Sequence, residues 1–159
     1  RYKFIPPDAP LEPTSDYAAS KAALFQLLHS FTIEKNIKLI YARIFNAYGI
    51  GQYKKNLWPS MRIAALSGED FFLTQGEQVR SFISVEEVAK QLVKSLDFSA
   101  VETGATFIKH IGVDSPQTIR KFAEYWWKEW GATGKLHFGA KPYRENEVMR
   151  YVPLVEWDK

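Results

Sequence analysis

The strongest constraint on the fold is the alternation of helical segments with short, largely apolar runs. Residues 16 to about 33 carry leucines at helical spacing, and Ser15 or Asp16 can cap that helix. The next segment, residues 37–45, is almost continuously apolar, which is typical of a parallel strand covered on both faces. A helix that leads into such a strand predicts an α/β fold with a parallel sheet.

The rest of the chain continues the alternation. We expect further helices over residues 58–66, 85–96 and about 115–130, and further strands over residues 71–74, 79–84, 106–113 and 135–138. The strands of residues 71–74 and 79–84 flank the turn Gln75-Gly76-Glu77, which predicts a hairpin. The helix of residues 85–96, capped by Ser84, is expected to bury an apolar stripe made of Val85, Val88, Ala89, Leu92, Val93 and Leu96.

Composition indicates a globular chain with one sizeable core. The chain has 159 residues, is 46% hydrophobic and contains no cysteine, so it has no disulfide and no thiolate metal site. No apolar run approaches the ~20 residues that cross a bilayer, and no secretion signal is visible. We therefore expect a cytoplasmic protein without a membrane partner. The net charge of +3 is spread along the chain, so we expect no nucleic-acid partner.

Two groups of residues that could suggest a binding site are better explained by the fold. Tyr125, Trp126, Trp127 and Trp130 share a helical segment with other apolar residues, which favours packing over a stacking platform for a ligand. The three histidines have no metal-ligand spacing among themselves, so we expect no metal site.

Tyr17 and Lys21 carry the most specific chemistry. They are four residues apart at the start of the first helix, so one helical turn places both on the same face. A nearby ammonium favours the phenolate, which lowers the pKa of a tyrosine toward the range where it exchanges a proton with a hydroxyl. The alternative is a surface lysine beside a half-buried tyrosine.

Four ordered segments resemble motifs of one enzyme family. They are residues 13–23 (PTSDYAASKAA), residues 43–52 (RIFNAYGIGQ), residues 79–89 (VRSFISVEEVA) and residues 142–148 (PYRENEV). They resemble the extended short-chain dehydrogenases/reductases, the nucleotide-sugar epimerases, dehydratases and reductases. The chain departs from the family pattern at Ile50, where a proline is usual, and at Asn146, where a glycine is usual.

The resemblance implies a catalytic assignment for the first helix. Tyr17 would be the acid/base for a sugar hydroxyl or ketone, and Lys21 would lower the pKa of Tyr17 and hold the nicotinamide ribose. The resemblance also assigns Phe45 to the cofactor site. The hydride would come from NAD or NADP, which carries the redox step.

The resemblance assigns further residues to a nucleotide-diphosphate sugar. Asn46 and Arg80 would hold the diphosphate, and the fork of an arginine matches phosphate geometry. The alternatives are a turn-forming asparagine and a surface arginine on a hairpin.

The nucleotide itself would contact residues from three other segments. Arg144 would lie near the nucleotide and Glu147 would accept a ribose hydroxyl, with a solvated loop pair as the alternative. Leu57 and Phe72 would line the base pocket, with the apolar core as the alternative.

The domain organisation follows from what the sequence lacks. The 9 glycines form no G-x-G-x-x-G turn for a dinucleotide pyrophosphate. We therefore expect residues 1–159 to be a single C-terminal fragment: the end of a Rossmann-like parallel sheet with its helices, interleaved with a small α/β substrate-binding domain. The glycine-rich N-terminal half would be supplied in cis or in trans, and without it one side of the sheet would be exposed.

The resulting functional hypothesis is an NAD(P)-dependent nucleotide-sugar enzyme. A 4-epimerase or 4-ketoreductase of a (deoxy)hexose nucleotide is favoured, inactive without its N-terminal half. Homodimerisation through the helices of residues 16–33 and 85–96 is also implied by the resemblance. The alternative is a non-catalytic module for sugar-nucleotide binding or assembly.

Overall fold

The structure, a computed structural model, describes residues 2–155. The helices are α1 (Asp16–Lys35), α2 (Leu57–Ser67), α3 (Val85–Lys94) and α4 (Ile119–Glu129). The strands are β1 (Leu39–Ile44), β2 (Ala47–Tyr48), β3 (Phe71–Phe72), β4 (Val79–Arg80), β5 (Ile83–Ser84), β6 (Thr106–Ile111), β7 (Gln117–Thr118), β8 (Leu136–His137) and β9 (Arg150–Tyr151). None of the helices within the described residues is long and apolar enough to cross a membrane.

The longest strand pair is β1 with β6, and it is parallel. Its register runs from Leu39 opposite Thr106 to Ile44 opposite Ile111. Helix α1 contacts Tyr41 and Thr106 on one face of this pair. Helix α3 packs on Ala42 and Ile111, which point to the other face because successive strand residues alternate in direction. The predicted α/β fold with a parallel sheet is confirmed. Among residues 2–155, β1 pairs with no strand at its other edge.

Helix α1 begins at the predicted cap and packs on the sheet through one polar and aromatic face. The Ser15 hydroxyl accepts a hydrogen bond from the Ala18 N–H at 3.2 Å, which closes the first turn. Phe25 contacts the Tyr41 ring edge-on at 4.9 Å. The leucine-rich side faces outward, and Leu24, Leu27 and Phe31 on it are exposed.

The predicted buried stripe of α3 is wrong except at Val88. Val88 is buried against Ile111, whereas the other predicted members are exposed: Val85, Ala89, Leu92, Val93 and Leu96. The reason is a buried amide, Gln91. Its Nε2 donates to the carbonyl of Gly112 at 3.1 Å and its Oε1 accepts from the N–H of Gly112 at 3.3 Å. These two bonds turn the Gln91 side of the helix toward the sheet.

The buried apolar residues form two clusters. One contains Val88 and Ile111, and the other lies between α2 and α4 and is mainly aromatic. Met61 and Ala123 are fully buried there, and Phe122 stacks on Phe82 with ring centroids 3.9 Å apart. The tryptophans of α4 belong to this cluster. The expectation that residues of this segment serve packing is confirmed for the three tryptophans, whereas Tyr125 is 56% exposed.

The predicted hairpin around Gln75-Gly76-Glu77 is wrong. Strand β3 pairs in parallel with β8, while β4 lies between β7 and β9. The turn is held by the start of α4 instead: the N–H of Arg120 donates to the carbonyl of Gly76 at 2.9 Å, and the N–H of Ile119 donates to the carbonyl of Gln78 at 2.9 Å. These bonds direct the two strands to different partners.

Helix α4 begins later than the sequence predicted. The expected start was Ser115-Pro116, whereas the helix starts at Ile119 with Thr118 as its cap. Residues 117–118 form β7 and pair with β4. The chain is therefore still extended there, and the helix begins after Thr118 instead of at Ser115-Pro116.

Candidate functional site

A cavity of about 270 Å³ lies between the loop after β1, the first turn of α2, and β4. Three residues that the family resemblance assigned to the substrate line it: Asn46, Leu57 and Arg80. They lie up to 34 residues apart in sequence, and the fold brings them together around one cavity. Its floor is apolar, with Phe82 and Phe122 among the lining residues.

The end of β1 places Asn46 at this cavity. The N–H of Phe45 still donates to the carbonyl of Ile111 at 3.0 Å, so the strand pairing continues through Phe45. Asn46 then adopts a left-handed conformation with φ of 44°, which asparagine tolerates better than most residues. This turn ends the strand and directs the chain into β2 and the cavity wall.

Three polar atoms of the cavity-lining residues are buried without a partner in the described chain. They are Asn46 Nδ2, Gln52 Oε1 and Trp58 Nε1. A buried donor or acceptor without a partner costs about 1–3 kcal/mol, so such groups are rare and mark a place for water, an ion or a ligand. The cavity is therefore suited to an occupant that both accepts and donates hydrogen bonds.

Arg80 supplies the positive charge of the site. Its Nη1 donates to the carbonyl of Val79 at 3.0 Å and its Nη2 donates to Glu147 Oε1 at 3.1 Å. Burial lowers the pKa of Arg80 from its ordinary value, and the Glu147 carboxylate opposes that fall. The arginine side chain is only 12% exposed, so its charge is largely shielded from solvent.

The other residues assigned to the nucleotide lie outside the cavity lining. Arg144 is exposed, and its carbonyl accepts the N–H of Glu147 at 3.1 Å. Phe72 is 49% exposed and stacks on His137 with ring centroids 4.7 Å apart. His137 is in turn bonded to Asp70 at 2.7 Å. Phe72 and Arg144 therefore do not line the cavity that Asn46 and Arg80 share.

Tyr17 and Lys21 share one face of α1, as their spacing predicts. The Lys21 ammonium lies 5.4 Å from the centre of the Tyr17 ring, and Tyr17 is 73% exposed. The carbonyl of Lys21 accepts from the Tyr41 hydroxyl at 3.4 Å, which ties this turn to β1. Because α1 runs antiparallel to β1, Tyr17 lies toward the carboxyl end of β1, the end that carries Asn46.

Phe45 is placed differently from a ligand-facing residue. Its side chain is 3% exposed and lies against His110 and Tyr151, with ring centroids 4.9 and 5.1 Å away. A cofactor could reach only its backbone.

Neither Trp58 nor Gln52 carries a local sequence pattern that predicts a place at the cavity. Trp58 begins the predicted helix of residues 58–66, and Gln52 ends the motif of residues 43–52. Both become notable because their polar atoms are buried without a partner, which no local pattern shows. Among residues 2–155, no group of three or more histidine, aspartate or glutamate residues could hold a metal ion.

Comparison with known proteins adds a family match. The model of the NAD-dependent epimerase/dehydratase family matches residues 5–108. A dTDP-glucose 4,6-dehydratase from Neisseria gonorrhoeae is 34% identical over 84 residues, which is 52% of this chain and 24% of that protein.

Solved structures share the fold at lower identity. UDP-glucose 4-epimerase from Thermotoga maritima, solved with UDP-glucose, superposes with a TM-score of 0.83 at 20% identity, over 98% of this chain and 50% of that one. A dTDP-glucose 4,6-dehydratase from Bacillus anthracis, solved with NAD, gives 0.79 at 22% identity, over 98% and 48%. The chain thus spans about half the length of these structures, and its 84-residue match covers about a quarter of the curated relative.

Proposed function

The chain belongs to the NAD-dependent epimerase/dehydratase family, and from that membership we propose that the cavity beside Arg80 binds the diphosphate of a nucleotide sugar. The observation that carries the proposal is the meeting of Arg80 and Asn46 in one cavity whose lining includes two buried, unpartnered donors, Asn46 Nδ2 and Trp58 Nε1. The relatives solved or named with UDP- and dTDP-sugars support this choice of ligand.

The donor set fits a diphosphate. The guanidinium of Arg80 offers a planar fork of N–H groups that matches two phosphoryl oxygens. Asn46 Nδ2 is a donor without a partner in the described chain. Leu57 is the first residue of α2, so the free N–H groups at that helix terminus add positive potential on the same wall.

For the chemical step, we propose that Tyr17 exchanges a proton with the sugar hydroxyl. Lys21, one turn later, stabilises the phenolate through its charge. The two side chains also fit a nicotinamide ribose, because they form an exposed hydroxyl and ammonium pair on one helical face. NAD or NADP, when bound, supplies the hydride acceptor and donor.

The proposed reaction is that of a 4-epimerase or 4-ketoreductase acting on a (deoxy)hexose nucleotide. The solved 4-epimerase supports this assignment, whereas the Neisseria relative supports a 4,6-dehydratase. The sequence has no glycine-rich turn for the dinucleotide, so we propose that activity needs an N-terminal half in cis or in trans. We also propose a homodimer, which the exposed apolar side of α1 supports.

Isothermal titration calorimetry tests the ligand. The chain is titrated with UDP-, dTDP-, CDP- and GDP-sugars and with NAD and NADP. We expect at least one nucleotide sugar to bind. Arg80→Lys keeps the charge but loses the fork and should weaken binding about tenfold, and Arg80→Gln should weaken it further. Lys128→Gln, an exposed charge change on α4, is the matched control.

The outcomes separate the two candidate functions. Binding of a nucleotide sugar that depends on Arg80 supports the proposed site. If no nucleotide sugar binds, or if Arg80→Gln binds as tightly as Lys128→Gln, the diphosphate site is rejected. If the chain binds none of these ligands but self-associates in analytical ultracentrifugation, the non-catalytic assembly module is favoured.

A further inference from the structure

Trp58 lies in the first turn of α2 on the wall of the Arg80 cavity. We propose that its indole N–H donates a hydrogen bond to an oxygen of the diphosphate ligand, which makes Trp58 a ligand-binding residue. The inference rests on the proposed function of the same cavity, and it adds a neutral donor to the charged one of Arg80.

The indole N–H of Trp58 is buried and unpartnered in the described chain. Trp58 is 7% exposed, and its Nε1 has no hydrogen-bond partner among residues 2–155. An indole N–H can only donate. A buried tryptophan normally finds an acceptor for this group, so the missing partner is an acceptor atom that the described chain does not provide.

The indole ring of Trp58 is held in place by three neighbouring aromatic rings. Its centroid lies 6.0 Å from that of Tyr48, 5.5 Å from that of Trp126 and 5.4 Å from that of Trp130. Packed on these three sides, the indole cannot turn far to seek an acceptor elsewhere. The acceptor must therefore come to the ring.

The residues that line the cavity indicate which acceptor binds the Trp58 indole. Gln52 also lines the cavity, and its Oε1 is an unpartnered acceptor, but it does not bond the Trp58 indole. The Gln52 side chain is held elsewhere, because its Nε2 donates to the carbonyl of Ala47 at 2.9 Å. The positively charged Arg80 also lines the cavity. An acceptor attracted by that charge is an anionic oxygen, and the phosphoryl oxygen of a diphosphate combines both properties.

Nuclear magnetic resonance tests the bond directly. The chain is labelled with nitrogen-15, and the Trp58 indole signal is identified by its loss in Trp58→Phe. Sodium pyrophosphate and UDP are the probes. We expect saturating probe to move the Trp58 indole proton downfield and to slow its exchange with water.

Affinity provides the second readout. Trp58→Phe keeps an aromatic ring but removes the donor, so we expect the dissociation constant for pyrophosphate to rise about tenfold, the equivalent of about 1.4 kcal/mol. Trp126→Phe is the matched control, because it changes the same aromatic cluster without changing a residue of the cavity lining. It should leave the dissociation constant within about twofold of the parent chain.

The outcomes distinguish this inference from the function on which it rests. If pyrophosphate binds in an Arg80-dependent manner but the Trp58 indole signal does not move, the inference is rejected and the diphosphate site stands. If neither pyrophosphate nor UDP binds, both are rejected. Should Trp58→Phe fail to fold, the wild-type signal is assigned through its contacts with Pro59, and its response to pyrophosphate decides.

Discussion

Arg80 and Glu147 form an ion pair across 67 residues of sequence, with Nη2 and Oε1 3.1 Å apart. The two side chains are 12% and 19% exposed, so the pair is largely shielded from water. It connects β4 to the loop before β9 and occupies one arm of the guanidinium that we propose for the diphosphate. Glu147 is therefore both a structural partner of Arg80 and a competitor for its charge.

Glu147→Gln should lower stability and tighten pyrophosphate binding. Glutamine keeps an acceptor but loses the charge, so we expect a loss of about 1–2 kcal/mol, equivalent to a fall in Tm of about 2–8 °C. The dissociation constant for pyrophosphate should fall about threefold or more, because the ligand no longer competes with a carboxylate. Differential scanning fluorimetry and calorimetric titration measure the two effects.

The control for this pair is Glu145→Gln, an exposed residue in the same loop, which should change neither quantity. Weaker pyrophosphate binding in Glu147→Gln would show that Glu147 positions Arg80 for the ligand rather than competing with it. UDP should gain less affinity than pyrophosphate from this substitution if Glu147 also accepts a ribose hydroxyl.

Tyr17→Phe should remove catalysis while leaving the fold intact. Tyr17 is 73% exposed, so the loss of its hydroxyl removes no buried hydrogen bond and should change Tm by less than about 1 °C. With the N-terminal half present, turnover of the preferred nucleotide sugar should fall by at least about 100-fold, the usual contribution of a general acid or base. Turnover at the parent rate would reject Tyr17 as the acid/base, and Tyr53→Phe, also exposed, is the control.

Asp70 should make the pairing of β3 with β8 sensitive to acid. The hydrogen bond from His137 and then that from the backbone N–H of Lys135 hold the pKa of Asp70 below its ordinary value of 3.8. A lowered pKa stabilises the folded state above the ordinary pKa, and this contribution is lost as pH falls through the folded value. The difference in urea midpoint between the parent chain and Asp70→Asn should therefore be fully present at pH 5, above the ordinary pKa of an aspartate.

Below about pH 4 that difference should shrink, as protonation makes the parent carboxyl resemble the amide. Urea titrations at pH 7, 5, 4 and 3 give the test. Asp114→Asn, exposed in the loop before β7, is the control and should follow the parent chain throughout. A difference that stays constant down to pH 3 would contradict the role of the Asp70 carboxylate.

Gln91→Met should be among the costly substitutions in the chain. Methionine matches the length of glutamine but leaves the N–H and C=O of Gly112 without the side-chain amide that bonds both. Two buried backbone groups without partners cost about 2–4 kcal/mol together. Urea unfolding measures this loss, and Gln26→Met on the exposed side of α1 should be nearly neutral. A loss below about 0.5 kcal/mol for Gln91→Met would show that water replaces the amide.

The sequence alone was sufficient for α1 and β1, and for the placement of Tyr17 and Lys21 on one face. A cap, a helical period and an apolar run are local properties, contained within ten to twenty residues. The four motif segments also identified the family. The order of the four helices and of the strands that contain β1, β3, β4, β6 and β8 was predicted for the same reason, whereas β2, β7 and β9 were not predicted. The start of α4 shifted to Ile119, because residues 117–118 form β7 and pair with β4.

The tertiary structure decided everything that depends on partners distant in the chain. Strands β3 and β4 could not be assigned their neighbours from sequence, because a two-residue strand carries too little pattern to specify a partner. The face that α3 buries depends on the hydrogen bond between Gln91 and Gly112. The pattern of apolar residues in the sequence does not predict such a polar contact. The pairing of Arg80 with Glu147 and the unpartnered indole of Trp58 exist only once α2 and β4 enclose a cavity, since burial is a property of the assembled fold and not of any segment.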